Sequence, residues 1–299
     1  MTSDLVMRAP GRTIFGVPLW APEQPCDVVF VGVPADMGML GIRSTQGGPG
    51  ALRDASIVFP EVRDDANRPV GWYDYPQRRV LLAGRQLRDA GDFPYDRRQG
   101  PEQLESLPDL YAALRESSRL LVILGGDHSL SYWMGRSLSG EGVVWVDGHE
   151  DAGRVQGEVP HHANVVSYVE RLDTVGCVVQ YGLRGLIPAL RRDPPPQRTL
   201  CERPEEVVAA LRRYGITEVA LSIDVDVLDP SVMPSVSSPL PEGLGFADLL
   251  TLVSTLTRGG ISIRVLELME FAPVGEADRL PALALVKFLV RVVDACLAR

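Results

Sequence analysis

Three residues with metal-binding side chains alternate along one short stretch of the chain. Asp147, His149 and Asp151 belong to the pentapeptide Asp-Gly-His-Glu-Asp, which directly follows an apolar run that reads VVWV. In an extended chain alternate side chains lie on one face, so these three should point to the same side. Gly148 and Glu150 should then point to the other side and make no contact with a bound ion.

A second acidic set repeats this alternation, because Asp224 and Asp226 follow another apolar run. If this pair met Asp147 and Asp151 in one crevice, burial and repulsion would disfavour ionisation unless cations were bound. Two divalent ions would balance the four carboxylates. Carboxylates combined with imidazoles suit Mn²⁺, and Ni²⁺, Co²⁺, Fe²⁺ or Zn²⁺ are alternatives. The interpretation without a metal is a set of capped loops and surface ion pairs.

A pair of metal ions about 3.5–4 Å apart can share a water molecule and lower its pKa, which gives a hydroxide nucleophile at neutral pH. That chemistry serves the hydrolysis of phosphates, of amides or of the carbon–nitrogen bonds of guanidines. The acidic motifs alone do not select among these reactions.

The four histidines of the chain all lie between positions 128 and 162. A lone histidine at a strand end is more often structural than a ligand. His128 and His149 each stand beside carboxylates, which favours a ligand role for both. His161 and His162 follow in the next loop.

Short, continuous apolar runs predict fully buried strands, and helical patterns lie between some of them. The clearest helix is Pro204–Tyr214, with acids at its start, arginines at its end and Gly215 after it. This alternation predicts an α/β fold with a parallel sheet covered on both faces. The predicted strands are Val28–Val33, Leu120–Leu124, Val143–Val146, Val178–Tyr181, Val219–Ile223 and Ile263–Leu268.

Ligands of such sheets bind beyond the carboxyl ends of the strands. Polar motifs stand at those ends here: GGDHS after Leu124, DGHED after Val146, DVDVLDP after Ile223 and MEFAP after Leu268. The sequence therefore predicts a functional site at that edge. No internal repeat or linker is evident, so we expect a single domain over residues 1–299, with residues 1–27 as an extension packed on it.

Composition excludes several classes of function. The formal net charge of −9 argues against a nucleic-acid or anionic membrane surface. No stretch approaches the roughly 18 apolar residues that a membrane helix needs, and the N-terminus lacks the pattern of a signal peptide. The four cysteines are scattered without a framework spacing, which favours a reduced, cytoplasmic compartment.

Taken together, the motifs resemble those of the ureohydrolase family, which includes arginases, agmatinases and guanidinobutyrases. Its signatures GGDHS, DAHxD and SxDxDxxDP are matched by Gly125–Ser129, Asp147–Asp151 and Ser222–Pro230. The glycine-rich segment Gly32–Arg53 and Glu270 before a turn match as well. The resemblance implies a three-layer αβα sandwich with a central, mainly parallel sheet and a binuclear manganese site.

The resemblance also implies roles for individual residues. Asp147 and Asp224 would bridge the two ions, and Glu270 would pair with a substrate guanidinium. A hydroxide oriented by Asp151 would attack the guanidinium carbon, and the leaving amine would take a proton through His162, or through its neighbour His161. The products would be urea and a primary amine. One ion would be held by His128, Asp147, Asp151 and Asp224, and the other by Asp147, His149, Asp224 and Asp226.

The loop between Asp151 and His162 departs from the arginase pattern. It lacks the Asn and Ser that hold the α-carboxylate of arginine, and Gly185 stands where arginases carry an Asp that helps bind the α-amino group. L-arginine is therefore not the expected substrate. Agmatine, a guanidino acid such as 4-guanidinobutyrate, and the guanidinoalkyl tail of a larger metabolite remain open.

Four other residues are candidate substrate contacts, and three of them have an alternative interpretation. Ser238 keeps a hydroxyl in the altered segment Pro234–Pro239, which has lost two family glycines. Arg154 and Arg184 would bind a substrate carboxylate, or are surface residues. Glu158 would bind an amine, with the same alternative.

Two rival functions stay open: a formimino-group or other amidino-group hydrolase on the same scaffold, and a metal-binding subunit without catalysis. The histidines of the loop count against a formiminoglutamate enzyme, and the intact ligand set counts against a non-catalytic role. Relatives imply a homo-oligomer, either a trimer or a hexamer. The expected partner is a small guanidino molecule, with no nucleic acid and no membrane.

Overall fold

Ten strands and seven α-helices, together with short 3-10 turns, make up the regular structure of the described residues. The computed structural model describes residues 7–37, 43–186 and 194–298. The strands are β1 (Cys26–Gly32), β2 (Trp72–Asp74), β3 (Arg79–Leu81), β4 (Leu87–Asp92), β5 (Ser118–Leu124), β6 (Gly142–Val146), β7 (Cys177–Tyr181), β8 (Arg198–Cys201), β9 (Glu218–Asp224) and β10 (Ser262–Met269). The helices are α1 (Gly48–Ser56), α2 (Leu107–Glu116), α3 (Ser131–Arg136), α4 (Val166–Val169), α5 (Pro204–Arg213), α6 (Phe246–Arg258) and α7 (Arg279–Leu297).

Eight strands form one sheet in the order β4-β1-β5-β10-β9-β6-β7-β8, and every neighbouring pair in it is parallel. Alternate side chains of its strands enter two apolar cores. One core packs against α1, α5, α6 and α7, and the other packs against α2, α3 and α4. Helices on both faces of a parallel sheet make three layers, which confirms the predicted αβα sandwich.

The six strands predicted from apolar runs are all present, with ends displaced by at most two residues. The predicted helix at Pro204 ends at Arg213, one residue earlier than expected. The strands were predictable because both faces of each strand are buried, so its run of apolar residues is continuous.

Four strands had no apolar run to reveal them, and β4 shows why. It carries Asp89 in its centre, yet this carboxylate is completely buried. Arg53 of α1 forms an ion pair with it, with Nε 2.9 Å from Oδ2. A buried charge of this kind requires a distant partner that a local sequence pattern does not contain. The strand β8 and the antiparallel hairpin of β2 and β3 were missed likewise.

The four strands that precede the polar motifs lie side by side in the middle of the sheet, in the order β5-β10-β9-β6. Since they are parallel, their carboxyl ends meet at one edge. The strands come from positions far apart in the chain. The topology therefore assembles the predicted site from all four motifs.

The chain before β1 packs against the sheet. The backbone amide of Ile14 donates to Asp89 Oδ2 at 2.7 Å, and Phe15 is buried in the adjoining core. Residues 38–42 of the glycine-rich segment predicted from Gly32 to Arg53 lie outside the described residues. Among the residues that are described, no helix is long and apolar enough to cross a membrane.

Candidate metal centre and active site

The pentapeptide Asp147–Asp151 does not continue the strand before it. β6 ends at Val146, and Asp151 adopts a left-handed backbone conformation with φ of 49°. The extended backbone predicted for this stretch is therefore wrong. Two hydrogen bonds hold the turn: the Val166 amide donates to the Asp151 carbonyl at 3.0 Å, and Gln180 Nε2 donates to the Glu150 carbonyl at 2.8 Å.

Gly148 and Glu150 nevertheless turn away from the acidic cluster. A Cβ atom on Gly148 would lie 2.7 Å from Nη1 of Arg184. The Glu150 carboxylate lies 3.6 Å from Nη1 of Arg198. The turn thus separates the two sets of side chains, although it does so without the alternation of a strand.

His128, Asp147 and Asp151 form a first group of candidate ligands, whose donor atoms all lie within 4.8 Å of one another. His128 Nδ1 is 3.2 Å from Asp147 Oδ2 and 3.9 Å from Asp151 Oδ2. Asp224 adjoins the group, with Oδ2 also 3.2 Å from His128 Nδ1. One imidazole nitrogen therefore faces three carboxylates.

Asp147, His149 and Asp226 form a second group, again with donor atoms within 4.8 Å. His149 Nδ1 is 2.8 Å from Asp226 Oδ2 and 3.7 Å from Asp147 Oδ1. Asp147 belongs to both groups and offers one oxygen to each. This sharing is the arrangement that a bridging carboxylate needs.

Neighbouring side chains and backbone amides fix these carboxylates. Trp145 donates from Nε1 to Asp147 Oδ2 at 3.0 Å, and its ring stacks on His128 with centroids 3.9 Å apart. The Asp226 amide donates to Asp224 Oδ1 at 2.7 Å. The cluster is thus positioned by the protein itself.

The electrostatics of the cluster favour bound cations. Burial, followed by repulsion from neighbouring carboxylates, raises the pKa of Asp151 and of Asp224 well above the usual value. Hydrogen bonds to Asp147 and Asp226 raise the pKa of His149 to about 10. Although burial opposes it, hydrogen bonding to His128 and His149 lowers the pKa of Asp147. Without bound cations, the buried cluster therefore retains protons. Two divalent metal ions would supply the positive charge instead, and the carboxylates and imidazoles are suitable ligands for them.

A cavity of about 130 Å³ opens onto the candidate ligands. Glu270 lies in its wall with a left-handed backbone of φ 67°. Its Oε1 accepts a hydrogen bond from the His128 amide at 2.7 Å, which aims the carboxylate toward the cluster. The lining consists of His149, Asp151, His162, Ala163, Asp224, Asp226, Ser238 and Glu270.

The two histidines of the loop are placed differently. His162 lines the cavity, whereas His161 is exposed and lies outside the lining. Burial, and then the neighbouring His161, lower the pKa of His162, which favours its neutral form. Its Nδ1 is buried without a hydrogen-bond partner among the described residues. A neutral imidazole beside the cluster is suited to accepting and passing a proton.

Two serines anchor the segment Pro234–Pro239, which lacks two glycines of the family pattern. Ser235 Oγ donates to Asp278 Oδ1 at 2.5 Å, and Ser237 Oγ donates to the Arg43 carbonyl at 2.8 Å. These bonds hold the backbone on either side of Val236 and leave Ser238 in the cavity wall.

The remaining candidate substrate contacts lie elsewhere. Arg154 and Glu158 are exposed and do not line the cavity, so their roles stay predictions. Arg184 is partly exposed and its guanidinium donates to backbone carbonyls, so a contact of this residue with a substrate carboxylate stays a prediction. The acceptors are the carbonyls of Asp226 at 2.6 Å, Val227 at 3.0 Å, Leu228 at 3.5 Å, Leu240 at 2.9 Å and Pro241 at 3.1 Å.

Sequence reasoning missed a polar group behind His128. His128 Nε2 lies 2.9 Å from Ser222 Oγ, and Ser131 Oγ donates to Glu267 Oε2 at 2.6 Å. Glu267 is completely buried in the middle of β10. A charged residue inside a buried apolar strand is the signal that could have found it.

Comparison with known proteins identifies the family. The model of the Arginase family matches residues 26–293, which include all four polar motifs. The chain belongs to the Arginase family. It is a hydrolase of amidino carbon–nitrogen bonds, which confirms the enzyme class predicted from the sequence.

Individual relatives are similar to most of the chain at low identity. A formimidoylglutamase of Halobacterium salinarum is 26% identical over 88% of this chain and 86% of its own length. An N(1)-aminopropylagmatine ureohydrolase of Thermus thermophilus is 29% identical over 86% of each protein. The solved structure of a formiminoglutamase of Trypanosoma cruzi with Mn²⁺ superposes with a TM-score of 0.71, at 23% identity, over 92% of this chain and 95% of that one.

Proposed function

We propose that this chain uses two Mn²⁺ ions to hydrolyse a guanidino compound other than L-arginine, releasing urea and a primary amine. The observation that carries the proposal is the pair of carboxylate–imidazole groups that share Asp147 and face Glu270 across a small cavity. Mn²⁺ is favoured by the donor types, and it is present in one structural relative.

The candidate metal ligands, Glu270 and His162 each have a task in this reaction. His128, Asp147, Asp151, Asp224, His149 and Asp226 would hold the two ions, which supply an activated water molecule at neutral pH. Glu270 accepts hydrogen bonds from the substrate guanidinium and so fixes its plane. Asp151 orients the attacking water. His162 carries a proton to the leaving amine, a role that its neutral form permits.

The walls of the cavity support a substrate without an amino-acid head group. Gly153 has no side chain, and its backbone amide donates to the Ala163 carbonyl at 3.0 Å. Arg184 is occupied by backbone carbonyls, and Arg154 lies outside the cavity lining. Among the described residues, the lining therefore offers no arginine or lysine to a substrate α-carboxylate. Agmatine, guanidino acids and longer guanidinoalkyl chains are the candidates, and the ureohydrolase of Thermus thermophilus is named for a substrate of the last kind.

A second candidate is hydrolysis of a formimino group, since two of the relatives are named for it. Family resemblance speaks against this reaction, because formiminoglutamate enzymes usually lack the histidine that here lines the cavity as His162. Homo-oligomeric assembly and a cytoplasmic location stay predictions from the sequence.

The deciding experiment is a product assay on the Mn²⁺-loaded protein. Urea would be measured with agmatine, 4-guanidinobutyrate, N(1)-aminopropylagmatine and L-arginine, and formamide with formiminoglutamate. We expect urea from one of the first three and at most a trace from L-arginine. Preferred turnover of L-arginine would refute the substrate assignment, and formamide alone would establish the second candidate.

Asp151→Asn is the matched active-site variant for that assay. It keeps the size of the side chain but removes the charge that holds metal and orients water, so we expect at least about a hundredfold loss of urea release. Glu150→Thr is the control, because Glu150 points toward Arg198. Equal losses in the two variants would contradict the role of Asp151.

A further inference from the structure

Glu267 is a buried carboxylate to which the reaction assigns no task. It lies in β10 three residues before Glu270, is completely buried, and has no arginine or lysine partner among the described residues. Within the described part of the chain, its Oε1 has no hydrogen-bond partner, and neither has the buried hydroxyl of Tyr111, whose pKa is raised by burial and by Glu267. Burying an acid with one oxygen unpaired costs folding free energy, which calls for an explanation.

Two serines connect this acid to a candidate metal ligand. Ser131 Oγ donates to Glu267 Oε2 at 2.6 Å and lies 3.2 Å from Ser222 Oγ. Ser222 Oγ lies 2.9 Å from His128 Nε2. All four side chains are completely buried, so water does not compete for these bonds.

The acid sets the direction of the bond nearest to it. Ser131 donates its single proton to Glu267 Oε2, so the Ser131 oxygen can accept a bond from Ser222. When Ser222 donates to Ser131, the Ser222 oxygen accepts from His128 Nε2. In this arrangement the proton of the imidazole lies on Nε2. His128 Nδ1 keeps its lone pair, and this is the atom that faces Asp147, Asp151 and Asp224.

We propose that Glu267 is a positioning residue, which acts through Ser131 and Ser222 to hold His128 in the tautomer that presents Nδ1 to a metal ion. It touches neither the ion nor the substrate. The inference rests on the proposed metal centre, and it predicts that the two ions depend on Glu267 unequally. The ion held by His128 requires it, and the ion held by His149 does not.

The test is a Mn²⁺ titration of the metal-free full-length protein, followed by the electron paramagnetic resonance of free Mn²⁺. In Glu267→Met, a side chain of similar length that accepts no strong hydrogen bond, we expect one of two Mn²⁺ ions to bind about 10–100-fold more weakly. Ser222→Ala should give the same loss. The double variant should be no worse than either single one, because both interrupt one chain of bonds.

Two further variants separate positioning from general damage. Glu267→Gln keeps an oxygen that accepts from Ser131, so it should restore most of the affinity. Tyr111→Phe removes an unpartnered hydroxyl from the same buried region and should leave both affinities unchanged.

Three outcomes would overturn the inference: equal weakening of both ions, an unchanged affinity in Ser222→Ala, or a loss in Tyr111→Phe as large as in Glu267→Met. If the wild-type protein and the variants all bind two Mn²⁺ ions with equal affinity, only the role of Glu267 is refuted. Wild-type protein that binds no Mn²⁺ refutes the proposed metal centre as well.

Discussion

At the scale of single residues, Gly148 shows how a departure from the family pattern is accommodated. The family signature DAHxD has alanine at this position, whereas this chain places the Arg184 guanidinium where that methyl group would lie. The guanidinium is held by carbonyls from two segments, including that of Asp226, and the backbone amides of Arg184 and Gly185 donate to the Gly148 carbonyl. Gly148 and Arg184 thus work as a pair that supports the second ligand group.

Gly148→Ala should consequently destabilise the protein. The new methyl group would lie 2.7 Å from an atom that cannot easily move, and such overpacking costs about 1–3 kcal/mol. Unfolding in urea measures the change. Gly50→Ala is the control, because its Cβ meets nothing within 4 Å in helix α1, and it should be neutral or stabilising.

A double-mutant cycle tests whether the two residues are coupled. Arg184→Ala alone leaves several carbonyls without a donor and should also destabilise the protein. In Gly148→Ala/Arg184→Ala the clash has disappeared, so the loss should be smaller than the sum of the single losses by about 1 kcal/mol or more. Strict additivity would show that the methyl group is tolerated in another way.

At the scale of elements, strand β7 supports the metal-binding turn although it carries no candidate ligand. Gln180 is completely buried in this strand and donates to the Glu150 carbonyl. That bond holds the residue next to Asp151, whose left-handed backbone needs external support. The neighbouring strand β8 contributes Arg198, which lies near the carboxylates of both Glu150 and Glu170.

Gln180→Leu should therefore weaken both stability and metal binding. It leaves a carbonyl unpaired next to the turn, at a cost of about 1–3 kcal/mol, and it frees Asp151 to move. Thermal unfolding and a Mn²⁺ titration would measure the two effects. Thr199→Val in β8 removes a side-chain bond to Tyr214 that is remote from the turn, so it should leave Mn²⁺ affinity unchanged. A stable Gln180→Leu variant with normal affinity would disprove the supporting role.

Elements also determine how much the sequence could reveal. The strands that carry the motifs were predictable because they are apolar on both faces, and their polar ends indicated one shared edge. The turn at Asp151 was not predictable, since its left-handed conformation depends on bonds from Gln180 and Val166, which are distant in sequence. The proposed role of Glu267 was not predictable for a related reason, because it depends on one serine at the start of α3 and another in β9.

At the scale of the whole molecule, the acidic cluster couples stability to pH and to metal. Hydrogen bonding to Asp147 and Asp226 raises the pKa of His149 from 6.5 to about 10 in the metal-free protein. A histidine that binds its proton more tightly when folded stabilises the fold fully below about pH 6.5, and this contribution is lost as the pH rises toward 10. Asp151 and Asp224 act in the same direction, because burial raises their pKa and the folded state keeps protons that the unfolded chain releases.

The metal-free protein should accordingly become less stable between pH 6.5 and 9.5. After treatment with a chelator, its melting temperature should fall steadily over this range. Mn²⁺ reverses the trend, because its ligands must lose their protons, so the rise in melting temperature on adding Mn²⁺ should grow with pH. His149→Asn should flatten the metal-free slope, whereas His161→Gln, outside the cavity lining, should preserve it. A metal-free melting temperature that is constant or rises with pH would show that the cluster does not hold its protons in the folded state.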